Sequence, residues 1–141
     1  MRSSCSPQGA DIVSTANFDV IVTRTNTSGA RRVELPYFAT VVQGGRSVVS
    51  KRIGVIVVDF ADGQRSAEAK GSATGYVSKA AATLPADIQE RLTRKRKAGD
   101  FDAALDPLED PDVRAAVQKS SFELLVGFQL SQAQLQYNAT R

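Results

Sequence analysis

SVVSKRIGVIVVDF, residues 47–60, decides the fold class. Its second half is apolar at every position from Ile53 to Val58 except Gly54. A spanning helix needs roughly 18 apolar residues, so this run is strand-sized. Alternation is the mark of a strand with one wet face; an unbroken apolar run predicts a central strand buried on both.

Outward from this run, the flanks alternate or turn. QGGR, residues 43–46, is hairpin chemistry, because glycine tolerates the positive φ of tight turns. Before it, RRVELPYFATVV (31–42) sets Val33, Leu35, Tyr37, Ala39 and Val41 on one side. Pro36 lacks an amide hydrogen, which predicts an edge strand or a bulge. NTSG (26–29) reads as a turn. In NFDVIVTRT (17–25), Phe18, Val20 and Val22 alternate with Asp19, Ile21 and Thr23. Residues 1–10 carry little to bury and predict a flexible leader or tether. Downstream, ADGQ (61–64) is a turn, and a further strand runs from Ser66 to Ser78, with Gly71 and Gly75 against it.

Beyond Ala80 the β-branched residues thin out. Pro85 suits the first turn of a helix that places Ile88, Leu92 and Lys95 on one face, and Gly99 suits its end. A second helix follows in EDPDVRAAVQK (109–119), with Asp110 as N-cap and Pro111 at the first helical position. SSFELLVGFQL (120–130) returns to a strand, with Phe122, Leu124, Val126 and Phe128 toward the core and Glu123 and Gln129 away from it. SQAQLQYN (131–138) reads as a closing helix capped by Ser131. The pattern predicts a mainly β chain. Residues 11–141 form a single antiparallel β-sandwich of immunoglobulin or fibronectin type, with a helical insertion at about 83–119 before the last strand and a short C-terminal helix. The alternative is an α+β sheet with helices on one face.

Composition excludes several chemistries. The 141 residues contain no histidine and one cysteine, which removes Ser-His-Asp and Cys-His nucleophile systems, histidine-ligated metals and internal disulfides. No cofactor or metal is expected, and no enzymatic activity. The net charge is +3, with ten basic against six acidic residues up to position 79 and eight against nine after it. That balance is too mild to imply a nucleic-acid partner.

Charged clusters each have a plain reading. Arg91, Arg94, Lys95, Arg96 and Lys97 form a basic segment that suits an anionic surface. Six acids between Asp100 and Asp112 follow directly and screen it. A calcium loop starting at Asp100 fails, since Ala104 and Leu105 occupy a ligand and the glycine position, and Pro111 the twelfth. Asp59 and Asp62 flank a turn, where aspartate serves the backbone. Glu123 should face solvent or meet Arg52. Asn26-Thr27-Ser28 and Asn138-Ala139-Thr140 match a glycosylation triplet that matters only in a eukaryotic secretory route.

Cys5 lies in MRSSCSPQG. Ser3 and Ser4 meet the small-residue requirement before a bacterial lipidation cysteine, and SPQG suits a tether. Arg2 departs from the leucine usual three places before the acceptor, and the sequence shows no basic and apolar signal regions. PYFATVV (36–42), KRIGVIVVDF (51–60) and FELLVGFQLSQAQLQYN (122–138) carry a likeness: the chain resembles a group of small alphaproteobacterial envelope lipoproteins. It spans about residues 10–80 and 120–141, resting on Tyr37 and Phe38, on Val57, Asp59 and Phe60, and on Glu123 to Tyr137. Residues 83–119 exceed what the group leads one to expect, so nothing carries over to them, and no catalytic residue carries over anywhere. The resemblance implies a periplasmic binding or scaffolding module anchored to the outer membrane through Cys5, with another envelope protein as partner. The competing expectation is a cytoplasmic adaptor that uses residues 91–97 on an anionic partner.

Overall fold

The computed structural model describes residues 1–95 and 106–139, with side chains as far as 136. The described residues are mainly β, in two three-stranded antiparallel sheets. Strands β1 (Arg2–Gln8), β2 (Asp11–Thr23) and β5 (Ser66–Ser78) form the first sheet in the order β1-β2-β5. Strands β3 (Arg31–Gln43), β4 (Ser47–Phe60) and β6 (Phe122–Phe128) form the second in the order β4-β3-β6. Between β5 and β6 lie helices α1 (Ala86–Thr93) and α2 (Pro111–Ser120), with a 3-10 turn at Pro107–Glu109. Helix α3 (Gln132–Ala139) follows β6.

The core forms where the inner faces meet: Val20 and Ala67 of the first sheet against Ile56, Val58 and Phe60 of the second. Phe18 and Tyr37 close it edge to face, with ring centroids 5.7 Å apart. Gly71 and Gly75, which weakened the reading of β5, leave room for larger side chains: Gly71 for the ring of Phe18, its ladder partner on β2, and for Ile56 of the second sheet, and Gly75 for Val41 of the second sheet. A Cβ on Gly71 would lie 2.5 Å from the Phe18 ring, and one on Gly75 2.5 Å from Val41. Bare backbone at these points admits the opposite side chains.

The run at 53–58 is not a central strand. β4 is an edge, hydrogen-bonded only to β3. Ile56, Val58 and Phe60 point into the core, while Ile53, Val55 and Val57 point to solvent. The central strand is β3, despite Pro36. The Pro36 carbonyl accepts from Gln129 N–H (2.8 Å), so its nitrogen faces the side of β6 just past Phe128, where that strand ends. The bond forgone is the reciprocal donation to Gln129, just past the end of β6, so the ladder from Tyr37 onward is intact. The predicted irregularity appears instead between Val41 and Val42, as a shift in register against β4.

Residues 2–8 are also not a loose leader. They pair with β2 from Arg2 opposite Asn17 to Gln8 opposite Asp11, through a tight turn in which Gly9 has φ of 55°. Backbone hydrogen bonding suffices to add a strand that buries no side chain, since all seven residues stay exposed. Other local expectations hold. Gly44 and Gly45 both take positive φ in the β3–β4 hairpin. The Asp110 carboxylate caps α2 by accepting from the backbone of Asp112 and Val113, and Ser131 and Gln134 cap α3 reciprocally.

Candidate functional site

The clearest surface feature is the outer face of the second sheet. Ile53, Val55 and Val57 of β4 are 64%, 56% and 42% exposed, and Leu125 of β6 is 48% exposed. Across the ladder, Ile53 lies opposite Phe38 and Val55 opposite Pro36. Charges border the stripe: Lys51 at one end, its ammonium 5.3 Å from the Phe38 ring, and the Arg32–Asp59 ion pair at the other, 2.8 Å. The Arg32 hydrogen bond holds the Asp59 carboxyl below its ordinary pKa, and Asp59 in turn raises that of Arg32. Further along β3, toward the end that meets α2, Thr40 and Val42 are buried. The Gln43 side chain donates to the Lys119 carbonyl (2.7 Å) and Gln118 to that of Gly44 (3.1 Å), holding the C-terminal end of α2 beside the β3–β4 hairpin.

Sequence reasoning missed this face, although parity held a signal. Lys51 and Asp59 share the alternation of Ile53, Val55 and Val57, so charge at both ends marked that side as wet. Arg52, of the opposite parity, blurred it. Its guanidinium stacks 5.0 Å from the Tyr76 ring.

Cys5 sits on β1 opposite Ser14, its thiol 3.5 Å from the serine hydroxyl. It is exposed and lies at the rim of a groove of about 220 Å³, which Ile12, Val41, Val77, Phe122 and Leu124 make largely apolar. Glu123 reaches the same rim and is solvent-exposed, as expected; Arg52 is engaged with Tyr76.

Of the basic segment, Arg91, Arg94 and Lys95 lie among the described residues. Arg91 pairs with the carboxylate of Asp110, joining α1 to the cap of α2. Asp110 lies below its ordinary pKa, mainly because it accepts the Asp112 backbone N–H, with Val113 N–H and Arg91 adding to the effect. Arg94 and Lys95 are exposed. Arg96 and Lys97, with Gly99 and the acidic run up to Leu105, lie outside the described residues.

The carboxylates at 59–62 serve structure. Asp59 holds Arg32, and Asp62 accepts the Gly29 backbone N–H at 2.6 Å. An organising residue that the sequence did not advertise is Arg24. Its guanidinium donates to the carbonyls of Thr27, Gly29, Ala61 and Gln64, tying two turns together beneath the Phe60 ring. Among the described residues no cluster of three or more cysteine, aspartate or glutamate side chains converges as a metal site would require, and no helix is long and apolar enough to cross a membrane. Compared with protein families, curated proteins and solved structures, the chain matches none.

Proposed function

We propose that the chain is a non-enzymatic module of the bacterial envelope, held at the outer membrane by a lipid on Cys5 and binding or scaffolding another envelope protein in the periplasm. The position of Cys5 carries this reading. An exposed thiol on the outermost strand, preceded by two serines, is open to acylation. Cleavage before it would remove residues that bury nothing. Cys5 to Gln8 would keep their rungs with β2. Each buried methylene of a lipid contributes about 0.8 kcal/mol, and stable anchoring takes more than one chain. The bare apolar face supports the binding role, because monomeric domains seldom leave a contiguous apolar surface uncovered.

In fold terms we read the two sheets as an immunoglobulin-like sandwich. Their orders β1-β2-β5 and β4-β3-β6 correspond to strands A-B-E and C′-C-F, with residues 83–119 as an insertion between E and F. The anchor is tested by expressing the gene with labelled palmitate. Wild type should take up label and Cys5→Ser should not; equal labelling of the two overturns the reading.

A further inference from the structure

Among the described residues the two sheets have four edges without a ladder partner, and they are not equally protected. β1 carries Pro7; β6 is only seven residues long; β5 is charged at Glu68 and Lys70 near its middle. Proline, shortness and charge are the devices that keep strand edges from pairing. β4 is the longest strand at 14 residues, holds no proline, and keeps its charges, Lys51, Arg52 and Asp59, outside a middle that is apolar from Ile53 to Val58 apart from Gly54. Its ladder bonds run only to β3.

We propose that β4 pairs antiparallel with β4 of a second copy, joining the second sheets of two chains into one of six strands about a two-fold axis at Val55. The sequence of the strand is self-complementary in this register. In an antiparallel pair, opposed residues share a face. With Val55 opposite itself, Ile53 meets the partner's Val57, and Lys51 meets the partner's Asp59. All of these lie on the outer face, at Cβ separations of about 4.5–5.5 Å. The two-fold repeats each contact, as an isologous interface requires. A slip of two residues one way sets Lys51 against Val57 and Asp59 against Val49. The same slip the other way sets Asp59 against Ile53 and Lys51 against Ala61. Either slip separates the charges, so only one register matches both charge and apolarity. Arg32 already braces Asp59 from the β3 side, which leaves it flanked by a cation on each side. The second copy, rather than an unrelated partner, is favoured because the complementarity is internal to one strand. Pairing also makes the apolar stripe continuous across the two copies.

The test uses the full chain in sedimentation velocity over a micromolar dilution series. Wild type should dimerise. Lys51→Glu alone and Asp59→Lys alone should each weaken the dimer by about tenfold, since the axis counts every like-charge pair twice. An equimolar mixture of the two variants should recover a dimer near wild-type strength, because each chain then offers the charge the other needs. In a Cys5→Ser background, Val55→Cys should form a disulfide-linked dimer under mild oxidation well ahead of Val49→Cys. Circular dichroism guards against misfolding, which exposed positions should not cause. Wild type that stays monomeric throughout overturns the proposal. So does a dimer indifferent to the charge changes, or one that the mixture fails to restore.

Discussion

β4 carries two sets of apolar side chains with opposite fates. Ile56, Val58 and Phe60 are 5%, 1% and 2% exposed, whereas Ile53, Val55 and Val57, interleaved with them, are 64%, 56% and 42% exposed. Residue type does not separate the sets. The covering layer does: the inner set meets the first sheet, and the outer set stays open to solvent. Burial is a property of the layers, and a strand reports only that it could be buried on a given side. The hydrophobic effect stabilises by area removed from water, roughly 25 cal/mol per Å², so the outer set contributes little until something covers it.

The largest expected effect breaks the strand's symmetry outright. Phe60→Ala removes a buried ring that also supports the Arg24 guanidinium, and should cost about 3–5 kcal/mol. Val57→Ala, three residues away on the outer face, should cost less than about 1 kcal/mol, the span of strand propensity alone. Urea denaturation of the two variants decides the contrast. Comparable losses would mean the outer face is covered in the isolated chain.

Phe128 sharpens the comparison from within the inner face. It points the way its parity demands, opposite Tyr37, yet it is 47% exposed. It is the last residue of an edge strand, with a sheet neighbour on one side only. Inner and buried are therefore separate properties. Phe128→Ala should cost about 1–2 kcal/mol, well below the roughly 3–5 kcal/mol that full burial of the ring would imply. A loss as large as that of Phe60→Ala would place the ring inside the core.

Most strands were legible because turns and alternation are local. QGGR, the Asp110-Pro111 helix start, Ser131 before α3, and the inward set Phe18, Val20 and Val22 all read correctly from neighbours in sequence. What failed depended on partners far along the chain. Pro36 is tolerated at the centre of a sheet because β6, some ninety positions later, stops one residue short of it. Residues 2–8 hold no apolar pattern, yet the β2 edge offers them backbone partners. The glycines of β5 look like breakers until Phe18 and Val41 are set against them. Arg24 joins turns that are 37–40 residues away in sequence through carbonyls, which every residue has and no pattern marks. The exposure of Cys5 was legible but its place on a paired strand was not, and the bare face was not, since a run apolar on both sides is silent about which side stays wet.

The smallest effect concerns the polar end of that bare face. Arg32 hydrogen-bonds Asp59 and holds its folded pKa below the 3.8 of a free aspartate. A depressed carboxylate contributes stability that is present above the unfolded pKa and lost as pH falls through the folded one. Both side chains are mostly exposed, 69% and 62%, so solvent screens the pair and the contribution is small. Asp59→Asn should therefore flatten the acid limb of stability slightly below about pH 4, with neutral-pH stability lowered a little and the inner face untouched. Arg32→Gln should do the same, because it removes the cause of the shift. At dilutions where the chain is monomeric, nothing larger is expected. Where two β4 edges pair, the same carboxylate also faces the partner's Lys51, so acid weakens the dimer as well, and the limb steepens with protein concentration. Acid titrations of wild type and Asp59→Asn at low and high concentration measure both contributions. A wild-type limb that ignores concentration and matches Asp59→Asn throughout would leave the outer face with no electrostatic role in either state.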